Sequence, residues 1–136
     1  MGRGAFFILA AGLLYGAWLF WSSSNDQHGA ELAYENALSV PRLSAAGEAG
    51  RIAFNEECAA CHGRDAFGGE GGPPLIHKLY EPGHHDDEAM RRAVRGGVAA
   101  HHWRFGDMPA QPQVAPDSLE AIVAFLRETQ VANGIR

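Results

Sequence analysis

Residues 58–62 read CAACH. Two thiols separated by two alanines, with a histidine directly after them, admit three chemistries. They are a thioredoxin-like redox pair, half of a zinc site, and covalent attachment of a c-type haem with the histidine as iron ligand. A redox pair of the thioredoxin kind requires a βαβ setting. Zinc requires another thiolate or a well-spaced histidine pair. Cys58 and Cys61 are the only cysteines in the chain, so no further thiolate exists, and a disulfide framework of the usual secreted kind is excluded.

Working outward, the surrounding sequence has helical periodicity. SAAGEAGRIAFNEEC, residues 44–58, suits a helix that ends at the cysteine motif. HDDEAMRRAVRGG, residues 85–97, places acids in its first turn, bases in its last, and Gly96 and Gly97 as a stop. DSLEAIVAFLRETQ, residues 117–130, opens with Asp117 and Glu120 at capping-box spacing, which predicts Asp117 at the N-cap. Leu119, Ile122, Val123 and Leu126 then make one apolar face. No stretch shows sustained strand alternation and no internal repeat occurs. The expected class is all-α, and the βαβ setting of a redox pair is missing.

The chain before residue 45 divides in two. AFFILAAGLLYGAWLFW, residues 5–21, is uncharged, about 26 Å long as a helix and near the lower limit for a ~30 Å hydrocarbon core. Trp18, Phe20 and Trp21 crowd its far end as an interfacial aromatic belt would. Arg3 precedes it and the next basic residue is Arg42, so the positive-inside rule places everything after Trp21 outside the cytoplasm. A cleaved signal peptide, with Ser22 and Ser24 at small-residue cleavage positions, is the rival reading. The length of the apolar run and the large aromatics at its end favour a retained anchor over residues 1–21. Residues 22–44 read as a periplasmic linker, with AELAYENAL as a transient helix and a reach of roughly 25 Å if flexible. Both readings export residues 45–136, the expected globular domain, from the cytoplasm to the outer face of a bacterial inner membrane.

Export, the adjacent His62 and the missing zinc and redox partners together favour covalent haem, with the thiols adding across its vinyl groups and His62 reaching the iron. Over about 90 residues, 45–133, the chain resembles the class I cytochrome c family. GRIAFNEECAACHG repeats the family's spacing of Gly50, Phe54 and Cys58; GGPPL is similar to its Gly-Pro-x-Leu; and FGDMPAQP is similar to its Met-Pro loop. The resemblance implies a fold of three to five helices wrapped round one covalent haem. It implies that Gly50 and Phe54 meet Phe125 and Leu126 where the first and last helices cross. It further implies that the Pro73 carbonyl holds the His62 imidazole, that Leu75 packs on the haem face, and that Met108 is the sixth ligand. Met90, within a helical core face with Ala93 and Val94, is read as core filler.

Histidines are concentrated beyond what haem ligation uses. His77, His84, His85, His101 and His102 are candidate ligands for a second metal, copper or zinc, with Asp86, Asp87 and Asp107 in support. Adjacent histidines chelate one ion poorly, so at most one of each pair is expected to count. The alternative is that all five are surface or loop residues, or partners of haem propionates. Trp103 is a candidate propionate partner, with core packing as its equal rival; Arg104, Tyr80 and Arg64 are weaker ones.

Two functional readings follow. In the first, the protein is a membrane-tethered periplasmic electron carrier and not an enzyme, because axial His62 and Met108 leave no open position on the iron. A membrane quinol-oxidising complex or a dehydrogenase reduces it, and a terminal oxidase or periplasmic reductase takes the electron. In the second, the histidine cluster makes it a copper-handling or copper-sensing haem protein. A net charge of -5 and a single lysine, Lys78, leave no basic stripe, so nucleic acid is excluded as a partner. Docking by long-range lysine steering is not expected either.

Overall fold

Ser44 begins the first helix of the haem-motif region: its hydroxyl accepts a hydrogen bond from the Gly47 amide at 3.1 Å, satisfying a donor that the first turn would otherwise leave open. The computed structural model of the chain describes residues 15–21 and 38–136. They fall into two compact units, Met1–Ala37 and Leu38–Arg136. In the first, residues 15–21 are helical and the rings of Tyr15 and Trp18 stack at 6.0 Å. Among the described residues no helix is long and apolar enough to cross a membrane. The rest of the anchor expected over residues 1–21, and the transient helix expected in the linker, lie outside the described residues.

The second unit is helical. Helix α1, Ala45–Glu57, runs to Cys58 and is followed at once by the single turn α2, Ala59–His62. Two 3₁₀ turns come next, Arg64–Ala66 and Lys78–Tyr80. Helix α3 spans Asp87–Gly96 and α4 spans Pro116–Ala132. Among the described residues the extended pairing is confined to an isolated bridge between Val98 and Met108, in keeping with the expected all-α class.

Helix ends follow local chemistry, with one correction. Asp86 caps α3 by accepting from the Ala89 amide at 2.6 Å, and Gly97, at φ 76°, ends it. Asp117 does not cap α4. Ala115 holds the N-cap position and Pro116 is the first helical residue, because proline's fixed φ and missing N–H suit the first turn. Asp117 thereby becomes the second residue of the helix, two places past the cap. Glu120, freed from a capping role, takes both Nε and Nη2 of Arg91 at 2.8 and 2.7 Å.

The largest packing interface joins α1 to α4. Gly50 brings the α1 backbone against Ala121 and Ile122 of α4. Phe54 and Phe125 then meet beside the crossing with ring centroids 5.6 Å apart, 1 % and 0 % exposed. Each large side chain buried this completely contributes roughly 1.5–3 kcal/mol of transfer free energy. Ala66, Ile76, Ile122, Leu126 and Ile135 complete this cluster, and Val94, Leu119 and Val123 form a second between α3 and α4.

Residues 38–44, read from the sequence as the end of a linker, run along the helical unit. Ser39 and Asn133 exchange two hydrogen bonds of 3.1 and 2.9 Å. Ser44 donates its amide and hydroxyl to Glu128 at 2.8 and 2.6 Å. Leu38, Val40 and Leu43 pack against the core, which is the reason this stretch departs from a solvated tether: its alternate apolar residues have a surface to bury against.

Candidate functional site: an apolar cavity with imidazole and thioether donors

Between α3, α4 and the segments that join the helices lies a cavity of about 410 Å³, within the range of small-molecule and cofactor sites. Cys58, His62, Pro73, Leu75, Trp103 and Met108 line it. These candidates are scattered over more than a third of the chain and converge on one space. Cys61 is exposed and does not line it. The two thiols are not joined in a disulfide.

His62 is positioned from both sides. The tight turn α2 carries it directly out of α1, and its Nδ1 lies 2.9 Å from the Pro73 carbonyl oxygen. Because a carbonyl only accepts, Nδ1 carries the proton and Nε2 keeps its lone pair. Burial lowers the pKa of the ring, with the Pro73 bond opposing that shift, so the imidazole is neutral near pH 7, as metal ligation requires. Burial also pushes the Cys58 thiol up to about 11, with smaller contributions from the Glu57 carboxylate and Cys61.

Met108 is held by its backbone. It exchanges both hydrogen bonds with Val98, at 2.9 Å each, and its side chain packs against the Val94–Leu119–Val123 cluster. Gly97 passes so close to this rung that a Cβ there would stand 2.6 Å from the Met108 carbonyl oxygen, and its positive φ independently favours glycine. Met90 packs against both core clusters, as expected of core filler, and also lines the cavity.

Trp103 presents a buried indole N–H that meets no acceptor in good hydrogen-bond geometry, although the Tyr80 side chain lies close enough for a weak polar interaction with it. Its ring lies edge-on to His77 at 5.3 Å and near Phe105 at 6.2 Å. Leaving such a donor unpaired costs about 1–3 kcal/mol, so a ligand acceptor at this wall would be favourable. Arg64 and Arg104 are exposed.

The five extra histidines do not act alike. His77 turns its Nδ1 to the Leu79 amide at 3.1 Å and caps the second 3₁₀ turn, and it is not among the histidines that come together. His84, His85 and His102 come together, each offering a ring nitrogen within 4.8 Å of the others. Of the two adjacent pairs, His84 and His85 both belong to this cluster, and their rings meet edge to face at 4.5 Å. His101 packs on His102 at 4.2 Å but gives its Nδ1–H to the Ala99 carbonyl at 2.8 Å.

Several positioning residues were not singled out from the sequence. Arg127 donates Nη1 to the Tyr80 carbonyl at 2.9 Å and to Gln130 Oε1 at 2.7 Å, Nε to Asp87 at 2.7 Å, and Nη2 to the His85 carbonyl. Gln130, fully buried, donates in turn to the Leu75 carbonyl at 2.9 Å. Together they tie the segment 75–87 to α4. The available signal was Gln130 itself, a polar residue four places after Leu126 on the apolar stripe. On the far side of α1, Arg51 and Asn55 grip Asp65, 8 % exposed, with bonds of 2.8 to 3.0 Å. They hold the 3₁₀ turn, in which Asp65 and Ala66 both have positive φ.

The residues fit a haem. They supply an apolar space, a neutral imidazole with a free Nε2, a thioether lining the same cavity, a thiol among its lining residues, and a buried indole donor without a well-placed acceptor. Residues 45–126 match the family model described as cytochrome c oxidase, cbb3-type, subunit III. No curated protein and no solved structure matches the chain. The family match covers more than half of the sequence and includes the CAACH motif, the His62–Pro73 pair and Met108, so the chain is a c-type cytochrome belonging to the family described as cytochrome c oxidase, cbb3-type, subunit III.

Proposed function

We propose that this protein is a membrane-tethered, periplasmic one-electron carrier whose haem iron is ligated by His62 and Met108. The observation that carries the reading is the convergence of both donors on one apolar cavity, each fixed through a hydrogen bond outside its coordinating atom. Haem c bound there supplies reversible Fe(II)/Fe(III) chemistry. Cys58 and Cys61 anchor it covalently. His62 contributes Nε2 while Pro73 holds the opposite nitrogen, which fixes the ring and raises its basicity. Met108 contributes a thioether, which favours ferrous over ferric iron relative to a second imidazole and raises the potential. Leu75, Leu119 and Val123 keep water from the cavity. Trp103 has a donor to spare for a carboxylate. Were His62 and Met108 both to hold the iron, no open position would remain there for a substrate, which supports a carrier and not a catalyst.

A membrane quinol-oxidising complex or a dehydrogenase serves as donor in this reading, and a terminal oxidase or a periplasmic reductase as acceptor. The family description favours the terminal oxidase. Residues 1–21 hold the domain at the membrane, where a tether raises the effective concentration near membrane partners. Phe105, 43 % exposed at the cavity wall, gives docking an apolar element.

The test uses membranes from cells that express and mature the full chain. Haem should sediment with the membrane through a salt wash. Its potential should fall in Met108→His by on the order of 100 mV and hold in Met90→Leu. Haem released to the soluble fraction overturns the tether, and a potential that follows Met90 overturns the ligand assignment.

A further inference from the structure

His84 and His85 belong to the turn before α3, where both their amides hydrogen-bond to the Glu81 carbonyl at 3.0 and 2.8 Å. His102 belongs to the loop after α3, whose base is pinned by the Ala100 amide on Asp107 at 2.8 Å. The helix therefore separates the three residues in sequence and returns them to one place. His84 Nε2 faces His102 Nε2 at 3.4 Å, long for a hydrogen bond. Two imidazole nitrogens bound tetrahedrally to one ion at ~2.0–2.1 Å stand about 3.3–3.4 Å apart, so the spacing suits a shared ion. His85 gives its Nδ1–H to the Leu79 carbonyl at 2.9 Å. That bond fixes the tautomer and leaves Nε2 as the donor, the outer-shell arrangement common to metal-binding histidines.

The neighbouring carboxylates are engaged elsewhere. Asp86 caps α3, Asp87 pairs with Arg127, and Asp107 holds the Ala100 amide. What remains is an all-imidazole donor set. It disfavours calcium and magnesium, which take oxygen ligands, and suits a borderline divalent transition ion. His84 and His102 are exposed, so solvent can complete the coordination. Arg127, through the His85 and Tyr80 carbonyls, keeps one half of the set in place before any ion arrives.

We propose that His84, His85 and His102 form a binding site for one Zn²⁺ or Cu²⁺ ion at the rim of the haem cavity, joining the turn before α3 to the loop that leads to Met108. His85 and His102 line the cavity as well, so the ion closes one side of its mouth. The proposal stands apart from the axial-ligand reading, because none of its three ligands is needed to hold the haem.

The test uses the full-length holoprotein, stripped of loosely held metal with a chelator and dialysed in separate arms against Zn²⁺ and Cu²⁺. Metal per haem iron is read by mass spectrometry, and cleavage after Arg104 by trypsin is followed alongside. One equivalent should bind in at least one arm, which names the ion, and should slow the cleavage. His84→Ala, at a residue that does not line the haem cavity, should weaken binding by about tenfold or more with the haem absorption unchanged, while replacing His28, which the sequence places in the linker, leaves binding as it was. Failure to bind in both arms, or equal binding by His84→Ala, overturns the site.

Discussion

Replacing Gly50 with alanine tests the helix crossing on which the cavity is built. A Cβ at this position would lie 1.8 Å from the Ala121 carbonyl oxygen, 2.3 Å from its carbon and 2.9 Å from the Ile122 amide nitrogen. All three obstacles are main-chain atoms of α4, so no side-chain rotation relieves the clash. Ordinary contact begins near 3.4 Å, and α1 and α4 must part by about 1.5 Å, loosening the dispersion contacts around Phe54 and Phe125. Overpacking costs about 1–3 kcal/mol when neighbours can adjust; with backbone as the obstacle, ~3 kcal/mol is expected. For a domain of roughly a hundred residues, each kcal/mol moves Tm by about 4–8 °C, so Gly50→Ala should melt roughly 12–24 °C below the parent. Thermal unfolding of the holoprotein followed by far-ultraviolet circular dichroism measures this. Gly96→Ala is the control. Nothing lies within 4 Å of a Cβ there, and alanine is the better helix former by about 0.5–1 kcal/mol. A Gly50→Ala melting point within about 4 °C of the parent, or an equal loss in Gly96→Ala, would refute the close crossing.

Two more outcomes are expected. Hydrogen bonds from Arg51, and then Asn55, hold the Asp65 carboxyl below its ordinary pKa despite burial. Its contribution is therefore full above pH ~4 and lost as pH falls through the folded value. Denaturant midpoints of the parent should drop more steeply on acidification below about pH 4 than those of Asp65→Asn; parallel curves would dissociate the pair from acid stability. Thr129 is fully buried with an unpartnered hydroxyl, so Thr129→Val should gain about 1 kcal/mol in guanidinium unfolding. A loss there would mean the hydroxyl has a partner after all.

Much of this architecture is legible in the chain because its signals are local or spaced along one helix. Ser44 and the cysteine motif bracket α1, and Gly50 and Phe54 sit one turn apart on the face that α4 covers. The His62–Pro73 bond was implied by resemblance alone, since nothing in GGPPL states which carbonyl faces the ring. Asp117 was misplaced because Asp and Glu at capping spacing compete with a proline one residue earlier, and proline's fixed φ prevails. The meeting of His84, His85 and His102 depends on the length and direction of α3 together with both flanking turns, a three-dimensional result that pair spacing does not encode. Arg127 and Gln130 were hidden for a related reason: their partners are backbone carbonyls, which no side-chain pattern announces.

The rung between Val98 and Met108 also bears on how this protein can change over time. It closes residues 99–107 into a loop whose ends are fixed, so the loop can change while the Met108 backbone stays moored. The positions along that loop are not equally free. His101, His102, Trp103 and Phe105 also line the cavity, so a substitution at any of them reshapes the cavity wall together with the outer contour, whereas Arg104, exposed and absent from that wall, can vary with the contour alone.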